Sequence, residues 1–119
     1  MSDQVVYVDR FQLREGRLDD FKRYATEVAA FVEENEPGVI SFNYYVDEED
    51  SSGTAIFVFA DADALDLHLD LVSSRFQEGY ELLSAADIEL LGQPTDRAIE
   101  MGKSFNARVK TKLAGFSRQ

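Results

Sequence analysis

The chain has 119 residues and a net charge of −11, with 45% apolar and 12% aromatic residues. That composition fits a single globular domain with one core and excludes a disordered segment. There is no cysteine, which excludes disulfides, thiolate nucleophiles, zinc–thiolate sites and cysteine-held iron–sulfur clusters.

The charge is segregated. Residues 1–100 hold 7 basic side chains and all 23 acidic ones, a balance of −16. Residues 101–119 hold Lys103, Arg108, Lys110, Lys112 and Arg118 and no acid. An acidic body repels phosphate backbones, so no nucleic-acid partner is expected. The basic tail has a nearer partner in the acidic body, in its own chain or in a second subunit; the alternative is a solvated, mobile tail. No apolar run approaches the roughly 20 residues of a membrane span, so no membrane partner is expected. The polar start Met1-Ser2-Asp3-Gln4 lacks the features of a secretory signal, which leaves the cytoplasm as the default compartment.

In chain order, residues 4–13 (QVVYVDRFQL) alternate and are rich in β-branched and aromatic residues, and predict a strand broken by Gly16. A helix is predicted from Leu18 to Asn35, because Leu18, Phe21, Ala25, Val28 and Val32 recur at helical spacing. Asp19 and Asp20 favour its first turn, and Pro37 and Gly38 stop it. Residues 39–46 and 54–60 predict two strands of a hairpin around the polar turn 47–53.

A second helix starts near Asp61 or Asp63, with Leu65, Leu69 and Val72 on one face and His68 beside them. Ser73 and Ser74 suggest a bend, after which Phe76, Tyr80 and Leu83 continue a second helical piece. Residues 87–92 predict the fourth strand, 94–106 a weak helix, and 108–116 a further extended segment.

The order β-α-β-β-α-β predicts an α+β, ferredoxin-like fold: a four-stranded antiparallel sheet with two helices on one face. The domain spans residues 1–93, with a C-terminal extension, 94–119, that packs on the domain or on a partner subunit. The first strand carries Val5, Tyr7, Phe11 and Leu13 on one face and Val6 and Val8 on the other; the third carries Phe57 and Phe59 against Ile56 and Val58. Two helices roof only one face, so the other predicts face-to-face pairing in a homodimer. The alternative is that the tail folds back over its own sheet.

Three polar residues are candidates for chemistry. His68, the single histidine, sits on an apolar helical stripe and is either a general acid or base or a core histidine with satisfied nitrogens. Asp9 interrupts the apolar face of the first strand and needs a partner, water or a functional reason; a structural ion pair is the other reading. Tyr80 offers a phenol toward the same cleft, or is a core residue with an outward hydroxyl. Asp47-Glu48-Glu49-Asp50 lacks the spacing of a calcium loop and reads as a solvated turn. There is no phosphate loop and no dinucleotide fingerprint, and one histidine makes no polyhistidine metal centre within one subunit.

These residues carry a resemblance. VYVDRFQLREGRLDDF, ENEPGVISFNYYVDEED and FADADALDLHLDLVSSRFQEGYELL, all within Val5 to Gly92, resemble the antibiotic-biosynthesis monooxygenase domain, a dimeric α/β-barrel family. The most telling pieces are Glu36-Pro37-Gly38, and Ala64-Leu65 followed by His68 and Arg75-Phe76.

The resemblance implies a two-fold dimer with facing sheets and an apolar pocket between sheet and helices. It also implies, for some members, oxygenation of quinols and polyphenolic aromatics without a cofactor. Haem-degrading members use an Asn, a Trp and a His at the positions of Asp9, His68 and Tyr80; none is the required type here, and the chain has no tryptophan. The histidine common among quinol-oxidising relatives matches His68, and a second histidine corresponds to Arg75.

The expected function is thus a cofactor-independent monooxygenase acting on a small aromatic, phenolic or quinol-like compound. His68, helped by Asp9, would be its base, Tyr80 would contribute to the cleft, and Phe11, Phe59, Phe76 and Arg75 would bind the substrate. The alternatives are a non-catalytic dimeric module for small-ligand binding or stress response, and an isomerase or cyclase using the same pocket.

Overall fold

A computed structural model describes residues 3–118. Strand β1 (Val5–Leu13) is followed by helix α1 (Leu18–Asn35), strands β2 (Val39–Asp47) and β3 (Ser52–Phe59), and helix α2 (Ala62–Val72). A 3₁₀ turn (Ser73–Arg75) leads into the short helix α3 (Phe76–Tyr80), then strand β4 (Leu83–Leu91), helix α4 (Asp96–Lys103) and strand β5 (Arg108–Lys110). Among these, α1 has the predicted bounds, and Asp61 caps α2 by accepting a hydrogen bond from the Ala64 N–H at 2.8 Å.

The sheet order is β2-β3-β1-β4-β5. Its first four strands pair antiparallel, as a ferredoxin-like fold requires, and β5 pairs parallel to β4. The expectation of four antiparallel strands and two helices is therefore corrected to a mixed, five-stranded sheet with four α-helical segments. The fifth strand is held electrostatically as well as by its ladder. Arg108 pairs with Asp87 (2.6 Å) and Glu89 (3.2 Å), and Lys110 pairs with Glu89 (2.6 Å). The basic tail thus meets the acidic body within its own chain.

A second correction concerns β4. It begins at Leu83, four residues before the predicted start, so Leu83 is a strand residue and not part of the helical piece. Leu83-Ser84-Ala85-Ala86 lacks the β-branched residues that mark the other strands; it is drawn into the sheet by pairing with Phe11, Gln12 and Leu13 of β1.

Odd-numbered β1 residues face the helices, and the core forms there. Val5, Phe11, Leu13, Phe57 and Phe59 of the sheet are buried against Phe21, Ala25, Val28 and Val32 of α1 and Leu65, Leu69 and Val72 of α2. Helix α4 packs beside α2, placing Ala98 and Met101 against the same core. The opposite face carries Val6, Ile56 and Val58, none fully buried, and Val8, which is buried. Leu113 and Phe116, the large apolar residues of the tail, are 98% and 75% exposed and do not seal it.

Candidate functional site

The site grows out of three cross-strand rows on the helix-facing side of the sheet. One row is Phe42–Phe57–Tyr7–Leu90. Its rings stack, with Phe42 on Phe57 at 3.6 Å between centroids and Phe57 on Tyr7 at 4.9 Å. The next row is Tyr44–Ala55–Asp9–Ile88, and the third is Val46–Gly53–Phe11–Ala86. The small side chain of Ala55 leaves room in the middle of the sheet, whereas the space over Gly53 is taken by the Phe11 ring. At Gly53 a side chain would run into the Phe11 ring at 2.5 Å. Because the helices rest on the surrounding large rings, a cavity of about 140 Å³ stays open between the layers.

His68 enters this cavity from α2, boxed by the rings of Phe59 (5.4 Å), Phe42 (5.5 Å) and Phe76 (6.2 Å). Its Nδ1 is hydrogen-bonded to Glu36, 2.9 Å from Oε1 and 3.2 Å from Oε2. Both side chains are almost fully removed from solvent, with His68 5% and Glu36 2% exposed. Burial pushes the Glu36 carboxyl up to about 7 and the His68 imidazole down to about 4.

The Glu36-Pro37-Gly38 junction sets this geometry. The Glu36 N–H closes α1 on the Val32 carbonyl, Pro37 prevents continuation, and Gly38 lies under Ala64 of α2. A Cβ on Gly38 would stand 2.8 Å from the Ala64 Cβ, so a side chain there would lift α2, and His68 with it, away from Glu36.

Asp9 lines the same cavity from β1. Its Oδ2 accepts a hydrogen bond from the Tyr7 hydroxyl at 3.3 Å, whereas its buried Oδ1 has no partner among the described residues. Burial raises the Asp9 carboxyl to about 6, against the opposing pull of the Tyr7 hydrogen bond. Burial and the neighbouring Asp9 charge also raise the Tyr7 phenol well above its ordinary value.

Phe11, Phe59, Phe76 and Tyr80 all line the cavity with His68 and Asp9. Tyr80 is 39% exposed and packs edge-on against Phe105 at 5.1 Å, so it joins the cavity to the surface. Arg75 is the exception. The 3₁₀ turn directs it to the outside, where it pairs with Glu27 (3.0 Å) and Glu78 (2.9 Å) and lies 5.2 Å over the Tyr24 ring. Its placement as a substrate-binding residue is corrected to a surface ion pair outside the cavity.

Glu36, Tyr7 and Phe42 were missed as site residues. Phe42 carried a legible signal, since it alternates with Tyr44 toward the face that Phe57 and Phe59 share. Glu36 carried little, because it follows Glu33, Glu34 and Asn35 and differs from them only by the Pro-Gly behind it. Among the described residues no group of three or more His, Asp or Glu is placed to hold a metal ion. No helix among them is long and apolar enough to cross a membrane.

Fold and site define a ferredoxin-like α+β domain with an aromatic-lined cavity between sheet and helices. The chain belongs to the antibiotic biosynthesis monooxygenase family, whose sequence model matches residues 5–81. Among solved structures it is similar to MupZ from Pseudomonas fluorescens, at 21% identity and a TM-score of 0.81 over 97% of this chain and 94% of that one. It is also similar to a point mutant of SnoaB from Streptomyces nogalater, a cofactor-independent oxygenase, at 23% identity and a TM-score of 0.65 over 79% and 96%. Protein SO0527 from Shewanella oneidensis is 25% identical, with a TM-score of 0.66 over 78% and 93%. No curated protein sequence matches.

Asp9 makes stability depend on pH. Its folded-state value lies above its unfolded one, so the native state binds the extra proton, and stability falls as pH rises from about 4 to about 6. Ionising it in place costs on the order of 3 kcal/mol. Asp9→Asn is therefore expected to match the parent near pH 4 and to exceed it by up to about that amount at pH 7, measured by urea denaturation. A stability difference that does not change with pH would contradict the burial of an ionisable Asp9.

Proposed function

We propose that this protein is a cofactor-independent monooxygenase acting on a small phenol or quinol. The observation that supports this reading is that one imidazole, His68, and one buried carboxyl, Asp9, line a single cavity walled otherwise by aromatic and aliphatic side chains. A dry cavity of about 150 Å³ accepts a benzene ring, so a cavity of about 140 Å³ suits a one-ring compound. Kinship with a family that includes a cofactor-independent oxygenase supports the same reaction class.

In this reading His68 takes the phenolic proton and the Asp9 carboxyl engages a second polar group of the substrate. Phe11, Phe59 and Phe76 hold the ring, and Tyr80 stands at the entrance. The phenolate passes one electron to O₂, giving a phenoxyl radical and superoxide. The two combine as a ring hydroperoxide, which loses water to leave a carbonyl. One oxygen atom stays on the ring as a quinone oxygen and the other leaves as water with two substrate hydrogens. The substrate supplies all four electrons, so no bound reductant is called for. Exclusion of water by the ring walls protects the radical pair.

Oxygen uptake with substituted phenols and hydroquinones tests this. The expected result is one O₂ consumed per quinone formed, with His68→Ala slowing turnover by about a hundredfold or more. A hydroquinone that raises the melting temperature yet is recovered unchanged, with no O₂ uptake, would contradict catalysis and favour the ligand-binding module.

We further propose that the functional unit is a homodimer joined through the open face of the sheet. Val6, Ile56, Val58 and Leu91, partly exposed around the buried Val8, form the centre of that face, and Arg10, Glu89, Arg108 and Lys110 form a charged border. Exposed apolar area of this kind is uncommon on monomers. Sedimentation equilibrium at micromolar concentration is expected to give twice the chain mass, and Ile56→Lys the mass of one chain. A parent protein that sediments as one chain would contradict the pairing.

A further inference from the structure

We propose that Glu36 is a positioning residue for His68: its carboxylate holds the Nδ1–H, leaving Nε2 bare toward the cavity, and any proton the pair gains appears on Nε2. The proposal deepens the reading of His68 as the cavity's base and rests on it.

Three observations carry the assignment. First, the hydrogen bond is made by Nδ1 and is nearly forked, at 2.9 and 3.2 Å to the two carboxylate oxygens. Second, Glu36 is not part of the cavity wall whereas His68 is, so the ring turns its Nδ1 edge away from the cavity and its Nε2 edge toward it. Third, Nε2 has no hydrogen-bond partner among the described residues, and the rings of Phe42, Phe59 and Phe76 around it offer none.

Proton counting then fixes what the pair does. With one proton, the ionised Glu36 accepts from Nδ1–H and Nε2 is an acceptor. With two protons there are two arrangements: a carboxylic acid donating to Nδ1 of a neutral ring, or a carboxylate beside an imidazolium. In both, Nε2 carries a hydrogen. One titration of the pair therefore switches the cavity-facing atom from acceptor to donor, whichever way the protons divide.

The two-proton state has no net charge and the one-proton state has one, so burial favours gaining the proton. The carboxyl end of α1, where Glu36 sits, acts in the same direction. A buried imidazole that would be a poor base alone is thereby able to take a substrate proton. The other titratable groups around the cavity are Asp9 and Tyr7 on β1, Tyr44 on β2, Tyr24 on α1 and Tyr80 on α3.

The chain has a single histidine, so nitrogen-15 NMR of the uniformly labelled protein reads His68 without ambiguity and without a substrate. At alkaline pH the expected spectrum shows a protonated Nδ1 and a bare Nε2. On acidification Nε2 gains its proton in one transition, which Asp9→Asn leaves in place. Glu36→Gln, which cannot ionise, is expected to lower the proton affinity of Nε2 by about tenfold or more. A protonated Nε2 in the parent at alkaline pH would overturn the proposal, and so would an unmoved transition in a folded Glu36→Gln protein. Should that variant fail to fold, the parent spectrum alone decides. Because no turnover is involved, an inactive protein with the expected tautomer would sink only the oxygenase reading.

Discussion

The arrangement depends on a hydrogen bond between two groups that burial would otherwise keep apart. Glu36 and His68 lie where water does not reach, and each alone would resist charge there. Together they form a unit able to exchange one proton with whatever occupies the cavity. Most of the local sequence serves that contact. Pro37 ends α1 so that Glu36 caps it, Gly38 lets α2 approach, and Asp61 caps α2 so that His68 falls on the inward stripe.

The second constraint is steric. Large rings at Phe42, Phe57, Tyr7 and Phe59 hold the helices off the sheet, while Ala55 leaves its row unfilled. A core packed to ordinary density would close such a gap. Here the rings stack on one another and so maintain their own spacing. Asp9 lines that gap with one carboxyl oxygen buried and without a hydrogen-bond partner among the described residues, which costs stability in the ionised protein.

Much of the fold was legible in the sequence because it follows from periodicity. The apolar stripe from Leu18 to Val32 gives α1, and the alternation around Phe57 and Phe59 gives the buried side of β3. The misses have physical causes. Leu83 to Ala86 joins β4 through its partner β1 and not through its own propensity. The extended segment expected over 108–116 forms a strand over only three residues, and its place beside β4 follows from a parallel ladder and ion pairs to Asp87 and Glu89, which no short pattern announces. Within the site, His68, Asp9, Tyr80 and three phenylalanines share one cavity, whereas Arg75 was misplaced because a 3₁₀ turn rotates the chain after Val72. Glu36 was invisible because its inward turn is a tertiary fact, written only in the backbone bend that follows it.

The central claim is that this cavity takes an acidic aromatic hydroxyl and moves its proton to His68. A nitrophenol reads that transfer directly, since its colour reports its ionisation and the nitro group makes it resistant to oxidation. Titrated anaerobically at a pH below its own ionisation, it is expected to bind as the yellow phenolate to the parent protein and as the neutral phenol to His68→Ala. Binding in the neutral form to both proteins, or no binding to either, would contradict the account.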